Sequence, residues 1–185
     1  MANSNRFPTS RIVLIGVMAA MIVVVTFFRF PLLGSKIHFA NAMCLLAGLL
    51  LGPVGGGLAA GIGSFLYDVL FGGYDILQAI ITFVSKFAMA WLCAIIALHG
   101  QTSPRPPRIV LACIAGALAY VALYLLKTLL YQAFVYGYPM DTVWLTMLSK
   151  LPASLLNAVA AIVAAPILYF ALHPVLHRLQ PQQVD

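Results

Sequence analysis

The chain has 185 residues, of which 63% are hydrophobic and 8% charged, and its 10 Lys and Arg against 4 Asp and Glu give a formal charge of +6. That balance excludes a soluble domain built around one core and marks a single integral membrane domain, residues 1–185. The cations are scattered rather than run together, which excludes a nucleic-acid surface, and Cys44, Cys93 and Cys113 each sit inside an apolar run without metal-ligand spacing.

In chain order, a short polar leader with Arg6 and Arg11 precedes a first predicted helix over residues 11–28. This run is long for the hydrophobic region of a signal peptide, and no Ala-x-Ala pattern follows it, so it is expected to remain as a helix. On it Gly16 and Ala20 stand four apart with Ala19 beside them, a small-residue patch suited to close helix packing. Residues 29–37, RFPLLGSKI, read as a loop, and a second, short helix is predicted over 38–51.

The third predicted helix, 53–71, organises the rest. Pro53 suits its first turn, where a missing N–H does no harm. Gly57 and Gly61 lie four apart, as do Gly55, Ala59 and Gly63, and also Gly56, Ala60 and Ser64, so several sides of the helix admit a neighbouring backbone. Further helices are predicted over 75–99, 108–136 and 141–172, with a polar loop GQTSPRPP at 100–107. Pro152 and Pro166 predict a kink or break in the last, and a polar tail with His173, His177 and Arg178 follows. The expected fold is an all-α bundle of six transmembrane helices.

Six spans put both termini on one side. Arg6, Arg11, Arg105, Arg108 and Arg178 then fall with the termini, against Arg29 and Lys36 opposite, which predicts cytoplasmic termini. With that topology Asp68, Lys86, Lys127 and Lys150 come to similar depth in the middle to outer part of the bundle. Ionisable groups at such depth face a cavity or one another. Asp68 and Lys86 read as pocket residues; Lys127 and Lys150 fit equally a pocket or a buried network, their long stems reaching the interface. Three lysines against one carboxylate leave an excess of two positive charges, which suits a ligand with a carboxylate, a phosphate or several acceptors. Asn41, Gln78, Thr82 and Asn157 are polar groups in or beside apolar runs, and a buried amide needs hydrogen-bond partners. Tyr67, Tyr74, Tyr138 and Trp144 lie near the outer helix ends, where such residues anchor at the interface or stack on a ligand, and His38 sits at the outer mouth.

HFANAMCLLAGLLLGP, GGGLAAGIGSFLYDVLFGGY and ITFVSKFAMAWL come in that order. Together they resemble the substrate-binding S components of energy-coupling factor (ECF) transporters, particularly the riboflavin-transporter-like branch for vitamins and vitamin precursors. Asn41, Gly52-Pro53, Gly61, Gly63, Asp68, Gly73-Tyr74, Thr82-Phe83 and Lys86 fill the family's places, over about residues 38 to 92. The resemblance implies a multi-pass protein of a bacterial or archaeal cytoplasmic membrane. It would bind a water-soluble vitamin or precursor in an outward-facing pocket closed by the loop at 29–37. It would then topple in the bilayer when a transmembrane scaffold subunit with two cytoplasmic ATPases acts. Pocket residues on this reading are Asn41, Asp68, Tyr74, Gln78, Thr82, Lys86, Lys127, Lys150 and Asn157, and Gly16, Ala19 and Ala20 would meet the scaffold. Gly16 replaces a residue that in the family is often Ala, which keeps the surface small. No cofactor or metal is implied, and no G-x-x-x-x-G-K-[ST] occurs, so ATP would be bound by the partners.

An intramembrane enzyme fits poorly. The chain has no Glu and no cluster of His and Asp, and Ser64 after Gly-Ile-Gly reads as a packing residue even with Lys86 at similar depth as a base. A stand-alone facilitator or channel of the same fold is the alternative. The lysine excess points toward an acidic ligand, while a neutral pyrimidine, pyridine or flavin would use the same groups as hydrogen-bond partners.

Overall fold

The computed structural model describes residues 9–32, 35–100 and 104–179, with side chains described to Leu172 apart from those of 31, 32, 35 and 36. Arg6 lies with residues 1–8 outside the described residues, as do the side chains of His173, His177 and Arg178. Among the described residues five helices are long and apolar enough to cross a membrane. They are α1 (Thr9–Phe27), α2 (Ala40–Tyr67, prolonged by a π-helical turn Asp68–Gly72), α3 (Ile76–Leu98), α4 (Pro106–Leu130, prolonged by a second π turn Tyr131–Val135) and α5 (Met140–Leu179).

The two helices predicted over 38–51 and 53–71 appear as one element, α2, broken at Gly52. Gly52 adopts φ 77°, ψ −177°, a left-handed φ that favours glycine, and Pro53 next to it has no N–H to place in the interrupted ladder. Beyond the break the two halves of α2 touch backbone to backbone: a Cβ on Gly56 would overlap the Cα of Gly48 and the carbonyl of Ala47. Arg11 of α1 donates from Nη2 to the Leu51 carbonyl at 3.0 Å, capping the first half where it would otherwise leave an orphan acceptor. Arg108 does the same for the end of α3, Nε to the Ile96 carbonyl at 2.7 Å. Both arginines, each in the first turn of its own helix, thus close the end of a neighbouring helix at the same end of the bundle.

Glycines set the remaining contacts of α2. A Cβ on Gly48 would overlap the Ala90 carbonyl of α3, and one on Gly63 would stand 2.6 Å from the Ala19 carbonyl of α1. On α4, Gly116 lets the Met89 carbonyl of α3 come to 2.8 Å of where a Cβ would be. Around these approaches Ile22, Cys44, Leu45, Leu46, Met89, Cys93, Ile109 and Cys113 form the core, the three cysteines free and buried as small hydrophobes. Helix α5 packs on α4, on α2 and on the hairpin described next.

The segment expected to be a plain loop is an antiparallel hairpin, β1 (Arg29–Leu32) against β2 (Ser35–His38), with Arg29 opposite His38 and Phe30 opposite Ile37. Pro31 is tolerated because a two-stranded ribbon consists of edges. His38 therefore ends β2 rather than opening α2, which starts at Ala40. The break expected at Pro152 or Pro166 does not occur: α5 stays helical through both and on through the expected tail to Leu179. One lost backbone bond per proline is tolerable in a membrane helix whose neighbours supply other partners.

Replacing Gly48 or Gly56 by Val should lower the melting temperature in detergent, since overpacking of this kind typically costs ~1–3 kcal/mol. Gly16→Ala, whose methyl would meet nothing within 4 Å, should cost nothing. Equal melting of all three would remove close approach to α2 as the determinant of the fold.

Candidate functional site

At the hairpin end the end of α1, both ends of α2, the starts of α3 and α5 and the end of α4 surround a cavity of about 740 Å³. That size lies within the ~300–1,000 Å³ common for small-molecule sites. All nine residues picked out in the sequence line it: Asn41 and Asp68 from α2 and its π turn, Tyr74 from the following turn, Gln78, Thr82 and Lys86 from α3, Lys127 from α4, Lys150 and Asn157 from α5. The spacing of Gln78, Thr82 and Lys86 at four-residue steps places them on one face of α3.

The charges are held mainly by neutral groups. Lys86, 3% exposed, donates from Nζ to Asn41 Oδ1, and its ammonium lies 3.7 Å from the centre of the Tyr120 ring. Lys127 donates to the Gln78 carbonyl at 3.1 Å and the Thr82 hydroxyl at 2.9 Å. Lys150 lies 5.8 Å from the Tyr124 ring, and Arg29 lies over Tyr67 at 5.1 Å. Asp68 is buried with Thr82 beside its carboxylate, and the cations that act on it are Lys127, Lys86 and Arg29. Asn157 Oδ1 accepts from the backbone N–H of His38 at 2.9 Å, which ties the hairpin to α5.

At the rim Asp75 caps α3, accepting from the Gln78 backbone N–H at 2.8 Å. Its two carboxylate oxygens are each 2.7 Å from the Tyr131 hydroxyl, and Gln78 Nε2 adds a bond at 3.1 Å. The clamp joins the start of α3 to the π turn after α4. The Gln78 backbone bond, the Tyr131 hydroxyl and the Gln78 side chain together hold the Asp75 carboxyl below the usual carboxylate range.

Several lining residues were not singled out in the sequence. Tyr120, Tyr124 and Tyr131 follow one another at four and seven residues on α4, the same face as Lys127, and that stripe was the available signal. Ser85, Thr128 and Ser154 each donate to a carbonyl of their own helix, which leaves no mark in the sequence beyond a small hydroxyl. Of the aromatics at helix ends, Tyr67 and Tyr74 line the cavity, while Tyr138 and Trp144 are exposed on the outside.

The small residues of α1 stand apart from the cavity. Gly16 and Ala20 are on the outer face, but Ala19 is 4% exposed and its carbonyl packs on Gly63, so it belongs to the contact between α1 and α2 rather than to an outward patch.

Because the folded-state pKa of Asp75 is depressed, its stabilisation is complete above its unfolded value of about 3.9 and is lost as pH falls through the lower folded value. The melting temperature of the protein should therefore drop modestly on acidification below about pH 4, and Asp75→Asn should lack that part of the drop. Superimposable acid profiles for the two would show that the rim clamp carries no stability.

A family model described as the S component of the ECF-type riboflavin transporter matches residues 6–174. No curated protein sequence matches at a significant level. A solved structure described as that of the S component of a bacterial ECF transporter aligns with a TM-score of 0.70 at 18% identity, covering 91% of this chain and 98% of that one. At that identity the likeness is one of fold. Family and structural neighbour alike are membrane transport components rather than enzymes. The chain belongs to the family of ECF-type riboflavin transporter S components.

Proposed function

We propose that this chain is the substrate-binding subunit of an ECF-type importer and that it binds a water-soluble vitamin or vitamin precursor in the cavity at the hairpin end. The observation that carries the reading is the convergence of Asn41, Asp68, Tyr74, Gln78, Thr82, Lys86, Lys127, Lys150 and Asn157 on one cavity of small-molecule size at one end of an otherwise close-packed bundle. Counting the two halves of α2 as separate spans gives six crossings. The excess of arginine at the other end supports termini in the cytoplasm and a cavity mouth outside, in the cytoplasmic membrane of a bacterium or archaeon. The hairpin, tied to α5 through His38 and Asn157, is the element that closes over the ligand.

Coupling would use α1. Its outward face carries Ile12, Val13, Val17, Met21 and Val24, with Gly16 and Ala20 as the low points between them. Such a small-residue groove suits a helix of a scaffold subunit. That scaffold and its two ATPases would drive the toppling that delivers the ligand inward.

Asp68→Ala and Lys86→Ala should each weaken ligand binding about tenfold or more while the protein still inserts, as loss of a buried charged hydrogen-bond partner commonly does. Unchanged affinity in both would move the ligand elsewhere. Gly16→Leu and Ala20→Leu should keep binding but fail in uptake with the scaffold and ATPases; uptake at the unmodified rate would make the patch lipid-facing only.

A further inference from the structure

The cavity is lined by four cationic side chains, Arg29, Lys86, Lys127 and Lys150, against one acidic side chain, Asp68. An ammonium carries three donors and no acceptor. Lys86 directs one donor to Asn41, and Lys127 directs two, to the Gln78 carbonyl and the Thr82 hydroxyl. Lys150 directs none to an acceptor among the described residues; its partner there is the face of Tyr124. Lys127 lines the same cavity, with its ammonium 5.7 Å from the centre of the Tyr74 ring. Among the described residues no carboxylate forms an ion pair with Lys150.

Such a group, partly buried in a membrane bundle, has lost part of its hydration without gaining an anion in return. A tyrosine face offsets some of that loss, and more so when desolvated, but it leaves the donors free. On the same side Tyr120 and Tyr124 stack with ring centres 6.2 Å apart and planes at 27°, a flat wall beside the free ammonium.

We propose, on the reading that this cavity is the transport site, that its ligand is an anion bearing a carboxylate or a phosphate, and that Lys150 with Lys127 forms the seat for that group. The tyrosine wall takes the rest of the ligand. Lys86, already bonded to Asn41 under Tyr120, orders the deep end of the cavity rather than the anion.

The test uses the full chain in detergent and matched probes that differ in charge. Nicotinate against nicotinamide and biotin against its amide form the carboxylate arm; riboflavin 5′-phosphate against riboflavin and pyridoxine 5′-phosphate against pyridoxine form the phosphate arm. In at least one pair the anionic member should bind about tenfold more tightly or better, as charge-assisted hydrogen bonds commonly give, and the responding arm names the anion. Lys150→Gln should abolish that preference, so that the two members of the responding pair bind alike, while Lys150→Arg should keep it. If Lys150→Gln fails to insert, Lys127→Gln carries the same comparison. Neutral members that bind as well as their anionic partners in every pair would overturn the proposal and leave the S-component reading standing, as would a preference that survives removal of Lys150 and of Lys127. No binding by any member of any pair would count against both.

Discussion

Close approach to the backbone of α2 is the constraint on which the structure depends. In a bilayer, helices gain little from hiding apolar surface from one another, so packing and polar contacts must hold the bundle together. Gly48, Gly56 and Gly63 let α3, the other half of α2 and α1 come within contact of main-chain atoms, and Gly116 gives α4 the same closeness to α3. This tight level ends toward the hairpin, where Tyr67, Tyr120, Tyr124 and the lysines replace glycine and alanine along the same helices. A cavity at one end and a sealed bundle at the other therefore follow from one sequence gradient, from small to large and polar, repeated on several helices.

The polar end is kept stable without neutralising its charge. An amide oxygen, a hydroxyl, a main-chain carbonyl and tyrosine faces meet the lysines one by one. These partners cost less specificity than carboxylates would, because they leave the cations able to receive a ligand. The break at Gly52 and the two π turns interrupt the regular helices. Each disturbs a helix at its margin, and the turns at Asp68–Gly72 and Tyr131–Val135 both border the cavity, where irregular backbone is tolerated because it faces a polar space.

Much of the site was legible because ionisable and amide groups inside apolar runs have few places to go. Asp68, Lys86, Lys127 and Lys150 declared themselves by cost, and helical spacing brought Gln78 and Thr82 with them. The helices were legible for the same reason of length and apolarity. The hairpin was not: strands of four residues are too short for alternation to register, and Pro31 and Gly34 read as loop residues. The tyrosine stripe of α4 was hidden because tyrosine in a membrane helix reads equally as an interface anchor. Pro152 and Pro166 signalled a kink or a break, and of the two the break is absent, since α5 remains one helical element through both. Ala19 could not be separated from Gly16 and Ala20 without knowing which side of α1 faces Gly63.

Native mass spectrometry of the full chain released from detergent, with chemical identification of any bound molecule, tests the central claim most directly. A single small molecule per chain with the mass of a vitamin or vitamin precursor is the expected result. An empty chain that also shows no thermal shift with a panel of such compounds would contradict the account and leave the buried cations as a structural network.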